Sequence, residues 1–376
     1  MSDWNTLTET YKKDGLALVL GAGISYDSNI PSWDHLLEEM VKKNFKHEGR
    51  RLYARLKKSG MSYPVIASLI EEHCKTRDQF IEGIRDTLYA DFPFYRIRFD
   101  KYNHWDFVRF VREGYVPPKL RLKKKRYTPN PTLRSVGALC LVRKKYKTSS
   151  RFEVNPKIHA VATLNVDALL QTYISTLTTR HLMRTVEDSS ANVYPGQLNL
   201  YHMHGYLHYA AGEPDSSLNA VEGIVLTEQD YYDFFNQPNR IFNYTFLYLL
   251  REYSCLFIGL SMQDENIRRM LHYSKLERLH AISNKMSIPI DLMKRGLISD
   301  EQKREIRRQV GRHFAILQKS NISKLDTAME DTLGALGVQV LWIRDFSEIP
   351  SNLKKLYEFD PEQKGRWTAV YGREKK

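Results

Sequence analysis

Residues Ala17 to His35 run Ala-Leu-Val-Leu-Gly-Ala-Gly-Ile-Ser-Tyr-Asp-Ser-Asn-Ile-Pro-Ser-Trp-Asp-His, an apolar strand that turns through small residues into a helix. Along the chain, strand candidates alternate with helical stretches, and such alternation implies a mainly parallel sheet covered on both faces. Gly21 and Gly23 carry no Cβ to obstruct a phosphate, Ala22 is nearly as small, and N–H groups exposed at such a turn favour an anion. The same glycines also serve an ordinary tight turn, with Ser25 in a local backbone hydrogen bond. The nucleotide reading therefore needs partners elsewhere in the chain.

Those partners fall where an open α/β sheet places its ligands, at the carboxyl ends of later strands. His159 to Leu170 ends an apolar run in Thr163, Asn165 and Asp167 before a helix. Leu198 to Tyr206 closes on His204 and Gly205, and Cys255 to Leu271 repeats strand, glycine turn and helix through Gly259, Ser261 and Asp264. Asn165 and Asp167 alternate and so point the same way from an extended segment, although one of them also suits a helix cap. His202 and His204 alternate likewise, but a metal site there lacks a third ligand. Ser261 with Asp264, and Thr227 with Asp230, have capping-box spacing.

The order Gly-Ala-Gly-Ile-Ser, Thr-x-Asn-x-Asp, His-Gly and Gly-x-Ser resembles the sirtuins, over residues 15 to 40 and 155 to 345. Ile-Pro-Ser-Trp and Gly-Leu-Ser-Met-Gln-Asp-Glu-Asn-Ile are similar to the zinc-free branch found in bacterial antiphage defence. The resemblance implies NAD as substrate, with Gly21, Ala22, Gly23 and Ser25 on its phosphates and Trp33 as a wall near the nicotinamide ribose. It implies that Asn165 orients that ribose and a water, that Asp167 recognises the nicotinamide end, and that His204 is the general base. Thr163 joins the NAD contacts, and Gly259 and Ser261 are assigned to the adenosine half, with Asp264 beside them or only capping. The implied reaction is NAD hydrolysis to nicotinamide and ADP-ribose, depleting NAD in abortive infection. Deacylation is disfavoured, because Asn29 and Ser32-Trp33-Asp34 replace the Gly and Asp-Phe-Arg of deacylating sirtuins and the zinc cysteines are missing. A non-catalytic NAD or ADP-ribose sensor is the reading from another class. Chains of this build resemble the sirtuin subunits that form rings with a HerA-type ATPase, so a homo-oligomer with that partner in trans is expected.

The 376 residues suffice for one large domain or two, and 42% hydrophobic with 23 tyrosines is a globular composition. Three separated cysteines, Cys74, Cys140 and Cys255, fit neither a disulfide framework nor a four-thiolate zinc site, so no zinc and a reducing, cytoplasmic setting are expected. The first residues lack a leader pattern, and no apolar run approaches the ~20 residues that span a bilayer. A formal charge of +13 attracts anions without choosing among them. Lys119 to Arg126 makes nucleic acid a possible accessory ligand, against the simpler reading of a solvated face.

The expected fold class is α/β, a Rossmann-like, mainly parallel sheet with helices on both faces, interrupted by an all-helical subdomain. The expected divisions are 1–45 with 152–360 as the catalytic domain, 46–151 as the helical insertion, and 361–376 as a polar tail. Within the insertion, Tyr63 to Cys74, Gln79 to Tyr89 and Thr132 to Lys145 show helical spacing. Loops are expected over Phe92 to Asp100 and Val116 to Pro131. Further strands are expected at 158–163, 199–203, 222–226, 254–259, 313–317 and 338–343, with helices at Gln229 to Phe235, Arg240 to Tyr253 and Ser323 to Leu336.

Overall fold

The computed structural model describes residues 3–97, 101–123, 125–145, 150–178, 180–186, 195–209, 223–236 and 241–358. The proposed tail, 361–376, lies outside them. Nine strands are present among the described residues: β1 (Leu16–Leu20), β2 (Leu141–Lys145), β3 (Ser150–Val154), β4 (Ile158–Thr163), β5 (Met183–Val186), β6 (Leu198–His202), β7 (Cys255–Ile258), β8 (His313–Gln318) and β9 (Val338–Ile343). Seven form one sheet in the order β5-β6-β4-β1-β7-β8-β9, and every neighbouring pair is parallel.

All five residues of β1 are buried, because the strand sits mid-sheet with apolar layers on both sides. Leu16, Leu18 and Leu20 enter one apolar cluster while Ala17 and Val19 enter the other, the period of two that a strand imposes. The first cluster takes in β1, the helix Trp33–Phe45 and buried residues from Tyr53 to Leu141, so the inserted stretch packs on one face of the sheet. The second is closed by the helices Ile241–Glu252, Glu265–Met286 and Ser323–Gly334. The expected α/β sheet with helices on both faces is what the chain forms.

Two local expectations are corrected. Thr132 to Lys145 is a helix only over Pro131–Cys140, and Leu141–Lys145 is β2, paired antiparallel with β3. The inserted stretch thus ends in a hairpin and is not wholly helical. Ile224 to Leu226 forms no strand, because its hydrogen-bonding groups go to His204, Arg77 and Asp230 instead of a ladder; residue 222 lies outside the described residues. Phe92 to Ile97 is irregular as expected, and its Phe92 and Phe94 are buried against Phe107 and Phe110 of the helix Lys101–Glu113.

Candidate functional site

The chain leaves β1 towards β4, β5 and β6 on one side, then returns to build β7, β8 and β9 on the other. Connections therefore diverge between β1 and β7, and a crevice opens at their carboxyl ends, where ligands bind in such sheets. The two glycine turns meet there. Gly21 N–H donates to Ile258 O over 3.0 Å and Gly23 N–H to Gly259 O over 3.1 Å. Gly259 has φ +71°, and a Cβ on it would lie 2.9 Å from Ile24 N. A Cβ on Gly23 would lie 2.8 Å from Gly259 Cα, so the glycines are needed for turn-on-turn packing before any ligand is considered. Gly23 nonetheless stays exposed and Ala22 half-exposed at the crevice.

Beneath this turn three buried polar side chains join. Ser25 Oγ donates to Asp167 Oδ1 over 3.0 Å and accepts from Asn165 Nδ2 at 3.4 Å. Asn165 and Asp167 thus do reach one point, although the segment has left the ladder after Thr163. Asp167 Oδ1 also accepts from Leu169 N–H at 3.1 Å, a turn bond one residue ahead of the N-cap position, which Ala168 occupies without a side-chain cap. Burial pushes the Asp167 pKa up to about 6, against the opposing hydrogen bonds from Leu169, Ser25 and Asn165. Thr163 Oγ1 takes the Asn165 N–H at 3.1 Å and donates to Leu20 O at 3.4 Å, fixing the ends of β4 and β1 together.

His204 follows β6 in a turn that Gly205 permits, with φ +71° and Gly223 O only 2.6 Å from where a Cβ would stand. The His204 ring lies edge-on to Tyr231, centroids 5.8 Å apart, and Tyr231 Oη donates to Asp264 Oδ2 over 3.1 Å. Burial lowers the His204 pKa below that of a free imidazole, while the carboxylates of Asp264 and Asp230 pull it back up. His204 is a neutral imidazole facing two negative charges, the state of a proton acceptor. His202 is structural: its ring bonds Asn165 O at 3.1 Å and Gln171 Oε1 at 3.3 Å, and burial lowers its pKa to about 4.

A cavity of about 340 Å³ opens over β8 and β9 beside the turns that follow β1 and β7, with Gly23, Gly259, Ser261, Gln318, Asp326 and Trp342 among its walls. That volume lies within the range of small-ligand pockets. Ser25, Asn165, Asp167 and His204 are not among its walls, so the expected residues divide into an open cavity and a buried polar set. The Ser261–Asp264 capping box is corrected: the cap is Asp264 itself, whose Oδ1 accepts from Ile267 N–H at 3.0 Å, and Ser261 is left exposed at the cavity. Thr227 and Asp230 do form a reciprocal box, Asp230 N–H to Thr227 Oγ1 at 3.3 Å and Thr227 N–H to Asp230 Oδ2 at 2.8 Å. Trp33 packs on the larger apolar cluster, and Asp34 is held by Tyr53, Tyr63 and Lys57. Asn29 has φ +61°, so the residue standing where deacylating sirtuins carry glycine keeps a left-handed turn.

The inserted stretch braces the turn after β1, the loops after β4 and β6 and the segment bearing Tyr231 through residues that sequence reasoning missed. Asn130 donates to Ile24 O and Ser28 Oγ, both at 2.9 Å, and caps its own helix by accepting Leu133 N–H at 2.8 Å. Tyr89 Oη donates to Leu207 O at 2.6 Å and accepts Ala168 N–H at 3.1 Å, tying the loops after β6 and β4. Arg77 bonds Asp230 Oδ1 at 2.8 Å, Glu71 Oε1 at 2.6 Å and Ile224 O at 3.0 Å, which anchors the segment carrying Tyr231. Asn130-Pro131 had the form of a cap before a helix; Tyr89 and Arg77 carry no local signal at all.

Among the described residues the one group spaced for a metal is His35, Glu38 and Glu39, away from the crevice, and Lys42 Nζ already pairs with both carboxylates at 2.8 and 2.7 Å. Cys74, Cys140 and Cys255 are free thiols, the last two buried. No helix of the described residues is long and apolar enough to cross a membrane.

Residues 159–340 match the family described as SIR2-like domain, which supports a sirtuin-like family and fits NAD-related activity. No curated protein matches the chain. The matched span begins at β4, and β1 with the glycine turn precedes it, yet β1 lies between β4 and β7 in the same sheet.

Proposed function

We propose that the crevice hydrolyses NAD at the bond between nicotinamide and ribose, giving nicotinamide and ADP-ribose. The observation that carries this reading is the buried set in which Asn165 and Asp167 meet Ser25 directly beneath the glycine turn. The SIR2-like match supports NAD as the ligand. In this reading the pyrophosphate rests against the turn of Gly21, Ala22, Gly23 and Ser25, of which Ala22 and Gly23 reach the surface and the Gly21 and Gly23 N–H groups already donate to Ile258 O and Gly259 O. The adenosine half enters the cavity by Gly259 and Ser261, and Trp33 backs the nicotinamide ribose.

The leaving group is a pyridinium, so C–N cleavage returns the bonding pair to the ring nitrogen and no general acid is required. The transition state is oxocarbenium-like, and catalysis reduces to holding the ribose, placing water and stabilising charge. Asn165 holds the ribose and the water, and Asp167 faces the nicotinamide end. As the water oxygen bonds to the anomeric carbon, His204 takes its proton, and Asp264 and Asp230 stabilise the imidazolium that results. Asn165, Asp167 and His204 are only 5%, 6% and 4% exposed, and Tyr231 stands edge-on against His204, so access to that ring requires displacement of Tyr231.

In this reading 1–45 with 152–360 is the catalytic unit, 46–151 the insertion that braces it, and the role is NAD depletion in infected bacteria. A homo-oligomer with a HerA-type ATPase in trans supplies the control such an activity needs. The exposed Lys119, Arg121, Lys123 and Arg126 suit nucleic acid as an accessory ligand.

Nicotinamide release from NAD by the purified chain, alone and with lysate of phage-infected cells, tests the proposal. Asn165→Ala and His204→Ala are each expected to lower the rate by about 10²-fold or more. Binding of NAD without turnover under either condition would favour the sensor, and deacylation of an acetyl-lysine peptide the deacylase.

A further inference from the structure

Tyr231 belongs to the helix Glu228–Asn236, whose first turn is fixed to the inserted stretch. Glu228 N–H donates to Ser68 Oγ at 3.0 Å, Arg77 Nη2 donates to Asp230 Oδ1 at 2.8 Å, and the Thr227–Asp230 box closes the turn. From this anchored turn Tyr231 reaches back to the site. Its ring meets the His204 ring edge-on, and its hydroxyl donates to Asp264 Oδ2 at 3.1 Å. Asp264 is itself held in place, because its Oδ1 caps the helix Glu265–Met286 by accepting Ile267 N–H. One side chain thus joins the loops that follow β6 and β7, two strands with β4 and β1 between them.

This contact shuts off His204. The imidazole is 4% exposed and is not among the walls of the open cavity beside the glycine turns. Tyr231 is only half-buried, and its neighbour Tyr232 is 53% exposed, so the helix stands at the surface with water on its outer side. A half-buried phenol tied to a fixed carboxylate can open locally without any strand of the sheet unfolding. A hydrogen bond to a charged acceptor biases such an opening by about tenfold or more.

We propose that the Tyr231–Asp264 hydrogen bond is an autoinhibitory latch, which holds the Tyr231 ring over His204 in the resting chain and must break before His204 can meet a ligand. The inhibitory effect rests on the reading of His204 as the base of NAD hydrolysis. The closure itself does not, and it is measurable without NAD.

Carbethoxylation of the full chain by diethylpyrocarbonate, with the rate followed at each histidine by peptide mass spectrometry, tests the latch. In the wild type, exposed His47 is expected to react fast, and His204 and fully buried His313 slowly. Tyr231→Phe keeps the ring and loses the hydrogen bond, and is expected to speed labelling of His204 by about tenfold or more with His47 and His313 unchanged. Tyr231→Ala removes the ring and is expected to label His204 at least as fast. Fast labelling of His313 would mark a variant that has lost its fold, and the other variant then carries the test. Labelling of His204 at the wild-type rate in a folded variant overturns the proposal, as does a wild-type His204 that reacts as fast as His47. Nicotinamide release from NAD by Tyr231→Phe is expected to exceed that of the wild type, and a lower release with faster labelling would make Tyr231 part of the machinery and overturn the latch. Faster labelling with no release from either protein upholds the closure and counts against NAD hydrolysis instead.

Discussion

Asp167 is the residue at which pH acts on both stability and the site. Its pKa of about 6 in the folded chain stands above the ~3.9 of an unfolded aspartate, so the folded state holds this proton more tightly. The group therefore favours folding most at and below about pH 4, and its ionisation penalty grows as pH rises through 6, reaching about 2–3 kcal/mol above it. Asp167→Asn keeps an acceptor for Ser25 and Leu169 but removes the charge. It is expected to raise stability at pH 7 and to flatten the dependence between pH 4 and 6 in urea unfolding, while NAD cleavage falls. An unchanged pH dependence would mean that the carboxyl is ionised at little cost. Asp264 offers a separate test of His204. Asp264→Asn retains a good helix cap and an acceptor for Tyr231, yet removes one of the two charges that raise the His204 pKa. The acidic limb of the pH–rate profile is expected to move to lower pH with stability changed by less than about 1 kcal/mol, and a fixed limb would remove Asp264 from the proton transfer.

At the scale of elements, the segment bearing Tyr231 is held by Arg77 at one end and Asp264 at the other. Arg77→Ala is expected to speed amide exchange at Leu226 and Thr227 by about tenfold or more, leaving β1 and β4 unchanged. Equal protection in the variant would show that the segment is held by apolar packing alone. The same segment marks the limit of what a local pattern can say. Ile224 to Leu226 is as apolar as a strand, but its partners are Arg77, 147 residues away for Ile224 O, and His204. β4 and β9 were legible to the residue because each is a mostly apolar run bounded by turn residues, with five of six positions buried in β4 and four of six in β9. β5 was not, since Met183–Val186 is a four-residue edge strand with one buried position and two polar side chains. The shift from helix to strand at Leu141 was equally hidden, because Arg143 to Lys145 reads as a charged helix end and the hairpin is set by pairing with β3.

For the whole molecule, the four polar clusters come to one edge because a parallel sheet brings all its carboxyl ends together. The order of strands, with β7 crossing back beside β1, then makes neighbours of turns 238 positions apart, Gly21 and Gly259. The braces from the inserted stretch, Asn130, Tyr89 and Arg77, were illegible since each depends on where a distant helix comes to rest. They make the site a joint product of sheet and insertion. The most direct test of the central claim is NAD turnover in ¹⁸O-enriched water, followed by mass spectrometry of the nucleotide product. The account predicts ADP-ribose carrying the heavy oxygen on its anomeric carbon, with free nicotinamide in equal amount and both formed about 10²-fold more slowly, or slower still, by His204→Ala. Intact NAD after prolonged incubation, with and without lysate of phage-infected cells, would contradict it.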